Sequence, residues 1–118
     1  MANRITALAI DCADAETLAA FWTQVLGWQV VERAEGIVSI GADGGAFGID
    51  FVHVPESKTV KNRLHLDLNA TDRDQGAELE RLLALGATHV DVGQGDDVSW
   101  YVLADPEGNE FCLLRARV

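Results

Sequence analysis

ITALAIDCADAETLAAFWTQVLGWQVV, residues 5–31, and RLHLDLNATDRDQGAELERLLALGATHV, residues 63–90, describe the same structural unit twice. Each opens with an alternating apolar/polar run, the period of a half-buried strand. A polar turn follows, then a segment with apolar residues every three or four positions, the mark of an amphipathic helix. Leu-Gly closes each helix, because glycine readily takes the left-handed conformation that ends one. Sliding the first stretch by 58 residues sets Ala7 on His65 and Asp14 on Asp72, and one added residue aligns Leu26-Gly27 with Leu85-Gly86. Self-similarity at such a period predicts two copies of one supersecondary unit.

Working outward, the first copy continues into strands over 28–32, 37–40 and 48–54, and the turn Gly41-Ala-Asp-Gly-Gly45 separates the last two. Those glycines lack the strand–GxGxxG–helix context of a nucleotide loop. The second copy has a helix predicted over 74–85, presenting Ala77, Leu79, Leu82 and Leu83, and strands over 88–92, 98–103 and 110–115. Asp105-Pro-Glu-Gly-Asn109 supplies its hairpin turn. The expected fold class is α+β, a single domain spanning 1–118. Its two βαβββ modules, 4–54 and 63–115, are joined by the polar connector 55–62.

Leu64, Leu66 and Leu68 are predicted to pack on the second helix. The opposite face carries Arg63, His65, Asp67 and Asn69, and Ala7, Ala9 and Asp11 hold the corresponding places in the first module. Together these residues are the expected floor of a concave sheet.

Composition limits the partners. Nineteen acidic against nine basic residues give a formal charge of −10, which repels nucleic-acid backbones and anionic lipid and suits a cationic ligand or a metal. No run approaches the ~20 apolar residues of a membrane span, and the N-terminus lacks a signal peptide's apolar stretch. Cys12 and Cys112 show no paired spacing and read as reduced thiols of a cytoplasmic protein. At 118 residues the chain should bury roughly two-thirds of its unfolded surface.

Three segments carry a resemblance. Ala20-Phe21-Trp22-Thr-Gln-Val-Leu26-Gly27-Trp28 resembles an F-Y-x-x-x-L-G helix end, and Asp105-Pro-Glu-Gly-Asn-Glu-Phe-Cys112 resembles a D-P-x-G hairpin. The stretch from Val54 to Asp67 is similar to a glyoxalase-like branch. In that order, on a duplicated βαβββ pattern, they identify the chain as similar to the glyoxalase/bleomycin-resistance/dioxygenase, or vicinal-oxygen-chelate (VOC), superfamily. The resemblance covers residues 5–114. It implies paired modules forming a U-shaped curved-sheet cleft, often completed by a second subunit, hence a homodimer.

Metal-dependent members of that superfamily place one ligand on the first and one on the last strand of each module. Carried onto this chain, those positions are Ala7, Asp50, His65 and Cys112. Alanine coordinates nothing, and a thiol stands where a carboxylate is usual, so the family's full site is not expected. No cofactor is expected, with a divalent metal as the alternative, and no metal ligand or catalytic residue is assigned. The ligand-binding candidates are His65, Asp67, Arg63, Asp50, Glu110 and Trp100.

Each candidate has a structural reading beside the functional one. His65 beside Asp67 suits proton transfer or is a hydrogen-bonded structural histidine. Cys112 is a ligand or a small buried hydrophobe. Lys58, Lys61 and Arg63 grip an anionic group or form a solvated connector. Glu110 is an acid in the cleft or a rim charge. Trp100, Tyr101 and Trp28 stack on a planar ligand or simply pack.

Three functions follow from these readings. The chain is a binder of a small organic molecule of the antibiotic-sequestering type; or a metal-dependent lyase, isomerase or dioxygenase using His65 and a carboxylate; or a non-catalytic interaction domain. The sequence leaves open whether it is an enzyme. The leading expectation is the small-molecule binder.

Overall fold

Asp14 and Gly27 show how directly the sequence sets the elements. The Asp14 carboxylate accepts the Thr17 N–H at 3.1 Å, and helix α1 (Ala15–Leu26) starts there. Gly27, at φ 68°, ends it by donating its N–H to the Thr23 carbonyl. Asp74 and Gly86 do the same for helix α2 (Gln75–Leu85). The cap equivalent to Asp14 is therefore Asp74, two residues beyond the Asp72 reached by the 58-residue slide.

The computed structural model describes residues 2–90 and 100–115. The chain divides into two compact units, Met1–Ser57 and Lys58–Val118. The division falls inside the predicted connector and assigns Lys58–Asn62 to the second unit.

In the first unit, strand β1 (Ala7–Cys12) precedes α1, and β2 (Gln29–Ala34), β3 (Ile37–Gly41) and β4 (Gly48–His53) follow. The sheet order is β1-β4-β3-β2, with β1 parallel to β4 and the others antiparallel. Leu18, Phe21, Trp22 and Val25 of α1 are buried with Val38, Ile40, Ile49 and Phe51 of the sheet it packs on. Phe21 meets the Trp22 ring edge-on at 5.2 Å.

The second unit repeats this topology with β5 (Asp67–Leu68), α2, β6 (Thr88–His89), β7 (Tyr101–Ala104) and β8 (Glu110–Leu113) in the order β5-β8-β7-β6. Again the first strand runs parallel to the last. The expected α+β class with tandem βαβββ modules is what the structure shows. Asp91, Val92, Val98 and Ser99, placed on strands from the sequence, lie outside the described residues.

Two expectations need correction. The strand predicted over 63–69 shrinks to Asp67–Leu68, and Leu64 is 80% exposed instead of packing on α2. Alternation supplies a face, but a strand also needs a ladder partner along its length. Here β8 begins at Glu110, whose carboxylate accepts the Asn62 N–H at 3.0 Å, so the backbone before Leu66 follows that side chain and not the sheet. On α2, Ala77 is exposed. The charged Glu78 is buried beside Leu79 and Leu82, neutralised by Arg81 at 2.8 Å and Arg73 at 3.5 Å.

Candidate functional site

Strand pairing decides which side chains meet. His65 and Asp67 stand two residues apart, so they share one face of an extended segment. Asp67 pairs with Cys112 across the parallel β5–β8 ladder, and the Cys112 N–H reaches the Leu66 carbonyl at 2.9 Å. The outcome is a cluster of three donor-bearing residues. His65 Nδ1 lies 3.1 Å from Asp67 Oδ1 and 3.9 Å from Cys112 Sγ, and the three ligating atoms all fall within 4.8 Å of one another. Among the described residues this is the group of three or more His, Cys, Asp or Glu side chains placed to hold a metal ion.

The cluster sits in the wall of a cavity of about 330 Å³, lined also by Lys61, Trp100, Val102, Glu110 and Leu114. Trp100 is 38% exposed, so its ring borders open space. The cavity lining therefore combines apolar Trp100, Val102 and Leu114 with a small set of polar groups, the usual composition of a small-molecule site.

Electrostatics separates the two acids. Burial pushes the Glu110 carboxyl up. The Asn62 N–H and the Lys58 ammonium, 3.1 Å away, outweigh that and hold it below its ordinary value. Glu110 is thus a committed anion that ties residues 58–62 to the head of β8, and Asn62 adds a bond to Asn109 at 3.3 Å. Lys58, read from the sequence as a ligand grip or as part of a solvated connector, pairs with Glu110, which lines the cavity and also holds that segment. Burial raises the Cys112 thiol, and the charge of Asp67 and a hydrogen bond to it add to the effect, against a smaller lowering by Lys61. Cys112 is buried and protonated at neutral pH, which argues against a free nucleophile.

His65 uses a single ring nitrogen toward both neighbours. A nucleophile–histidine–carboxylate relay needs opposite nitrogens, one for the nucleophile and one for the orienting acid. The geometry is that of converging donors and does not form a relay.

The sequence candidates divide accordingly. His65, Asp67, Glu110 and Trp100 line the same cavity. Arg63 is exposed and outside its lining. Asp50 belongs to the first unit, on β4, paired with Ala9 and Ser39. The shared topology makes Ala9–Asp50 the equivalent of Asp67–Cys112, which confirms the register used to match the two final strands. Tyr101 meets His89 edge-on at 6.2 Å. Sequence reasoning singled out Lys61 only as part of a basic cluster, and it missed Val102 and Leu114. Alternation along the last strand, counted from Cys112, would have found Leu114.

The superfamily resemblance implies a divalent metal, and the donor chemistry tests that. Imidazole, carboxylate and thiol together fit a borderline ion such as zinc(II), whereas manganese(II) prefers oxygen donors. His65, Asp67 and Cys112 fit the first description.

The model of the glyoxalase-like domain family matches residues 7–114. No curated protein matches the chain. Among solved structures, a glyoxalase/bleomycin resistance protein/dioxygenase family enzyme from Burkholderia phytofirmans is 25% identical, with TM-score 0.65, covering 92% of this chain and 94% of that one. The fosfomycin resistance protein FosX from Listeria monocytogenes, solved with manganese(II) and a dihydroxypropylphosphonic acid, is 14% identical. Its TM-score is 0.76, over 100% and 94% of the two chains. TnmS3, an antibiotic-binding protein from a Streptomyces species, is 18% identical with TM-score 0.66, covering 98% of each chain. At these identities the last two show likeness of fold.

Proposed function

The chain belongs to the glyoxalase-like domain family, and on that premise we propose that it binds a small organic molecule in the cavity of its second unit. The observation that carries this reading is the cavity itself, lined by Trp100, Val102 and Leu114 together with Lys61, His65 and Asp67. An apolar body stacks on Trp100, and the polar groups fix its orientation. The antibiotic-binding relative supports the same class of ligand. Assembly as a homodimer belongs to this proposal and is read by light scattering on the purified protein.

The test is a calorimetric titration with a panel of planar aromatic compounds, comparing the wild type with Trp100→Ala and His65→Ala. Saturable binding that weakens in both variants, with unchanged thermal unfolding, is the expected result. Binding unaffected by both substitutions overturns the assignment.

The converging donors favour a second reading, a metal-assisted lyase, isomerase or dioxygenase. His65, Asp67 and Cys112 would hold the ion, which when bound polarises a ligand oxygen. His65 then serves as a ligand and not as a base. Turnover that depends on added metal would put this reading first.

A further inference from the structure

The superfamily's ligand pattern draws one residue from the first and last strand of each module. His65 and Cys112 stand at that pattern's positions in the second module, but the first module offers Ala7 and Asp50 there, and the third donor here, Asp67, lies outside the pattern. All three donors belong to the second unit, His65 and Asp67 on one segment and Cys112 with a thiol. We infer that His65, Asp67 and Cys112 form a self-contained zinc(II) site in the second unit, with an open coordination position facing the cavity. The inference concerns the metal alone, and it stands whether or not an organic ligand binds or a reaction follows.

Three observations carry it. First, the donors converge on one point. Tetrahedral zinc with bonds of about 2.0–2.3 Å sets its donors about 3.3–3.6 Å apart, and the 3.1 and 3.9 Å separations at His65 Nδ1 bracket that range. A rotation of the exposed His65 and Asp67 side chains closes the remainder, and both are more than 40% exposed. Second, the strand pairing that sets Asp67 opposite Cys112 fixes the backbone of two ligands before any metal arrives. Third, the donor count leaves a fourth position. Structural zinc sites fill it with protein, while open ones leave it to water or a ligand. Here that direction is the cavity that Lys61 and Trp100 also border. Binding replaces the thiol proton of Cys112 with the metal and releases that proton to water.

A thiolate also sets selectivity. Sulfur favours zinc and cobalt, and discriminates against manganese and magnesium. The site thereby differs in metal class from the manganese-bound FosX relative.

The experiment uses the full chain, stripped with chelator and titrated with cobalt(II) as a spectroscopic probe. The expected result is one equivalent bound, with thiolate-to-cobalt charge-transfer absorption in the near ultraviolet. Zinc(II) should bleach that absorption and manganese(II) should not. Cys112→Ser should abolish the band, and Cys12→Ser should leave it intact. Because Cys112 is buried and its serine variant risks misfolding, Asp67→Asn is the second arm. Asp67 is exposed, so the variant should fold and should weaken zinc by more than the roughly 10-fold cost of losing a ligand's supporting partner. Cobalt binding without the charge-transfer band, a band that survives Cys112→Ser, unchanged zinc affinity in folded Asp67→Asn, or no binding at all each overturns the site.

Discussion

The first and second units share a topology and differ in what they bury. In the first, the five buried residues of α1 are all apolar, and β1 and β4 pair at six positions. In the second, α2 buries Glu78 with Leu79 and Leu82, and β5 and β8 pair at two. The shorter ladder frees the segment before Asp67, so His65 points its imidazole at Cys112 from a loop edge. The comparison teaches that both copies keep an apolar core, while the second shortens its first ladder and buries a paired charge under its helix.

The largest effect that sharpens this contrast is Trp22→Ala, which removes a 2% exposed side chain from the first core and should cost about 3–5 kcal/mol in urea unfolding. Leu82→Ala in the second unit should cost less, about 2–3 kcal/mol. Equal losses would break the contrast between the two helices. Next comes Arg81→Ala. It leaves the buried Glu78 carboxylate with only the longer Arg73 contact, and should cost about 1–3 kcal/mol. Glu78→Leu in the same background should recover part of that loss, and its failure to do so would mean that Arg81 acts through some other contact. Below that, Asp74→Ala removes the α2 cap and should cost about 1 kcal/mol by thermal melting.

The smallest effect lies in pH. Bonds from the Thr17 hydroxyl and N–H hold the exposed Asp14 carboxyl below its ordinary value. Its contribution is therefore complete above the ordinary aspartate range, and it is lost as pH falls through the depressed value. Asp14→Asn keeps a cap acceptor and should flatten the acid limb of the stability profile slightly, without altering neutral stability much. An unchanged acid limb would show that the first unit's cap carries no proton linkage.

Local signals read from the sequence came through, and long-range ones did not. Asp14, Gly27 and Gly86 act on their own helix ends, so their roles were legible directly. Asp105 was equally legible, since its side chain accepts the N–H groups of Glu107 and Asn109 within its own turn. The shortening of β5 was not, because it depends on Glu110 capturing Asn62 from far along the chain. The pairing of Lys58 with Glu110 was not legible for the same reason: it is fixed by folding and not by neighbourhood. Cys112 stands between these cases. Its strand position was readable, but its approach to His65 rests on the register of a parallel pair, which no spacing in one strand encodes.

Strand pairing also bears on the order of assembly. Among the described residues, the ladders of the first sheet close between Ala7 and His53 and those of the second between Asp67 and Leu113. Synthesis runs from the N-terminus, and domains generally fold as units as they emerge. The first sheet can thus be complete while the D-P-E-G turn of the second is still unmade. A nascent chain arrested shortly after the connector has left the ribosome would already hold the Trp22 core, whereas the donors at His65, Asp67 and Cys112 come together only when β8 arrives.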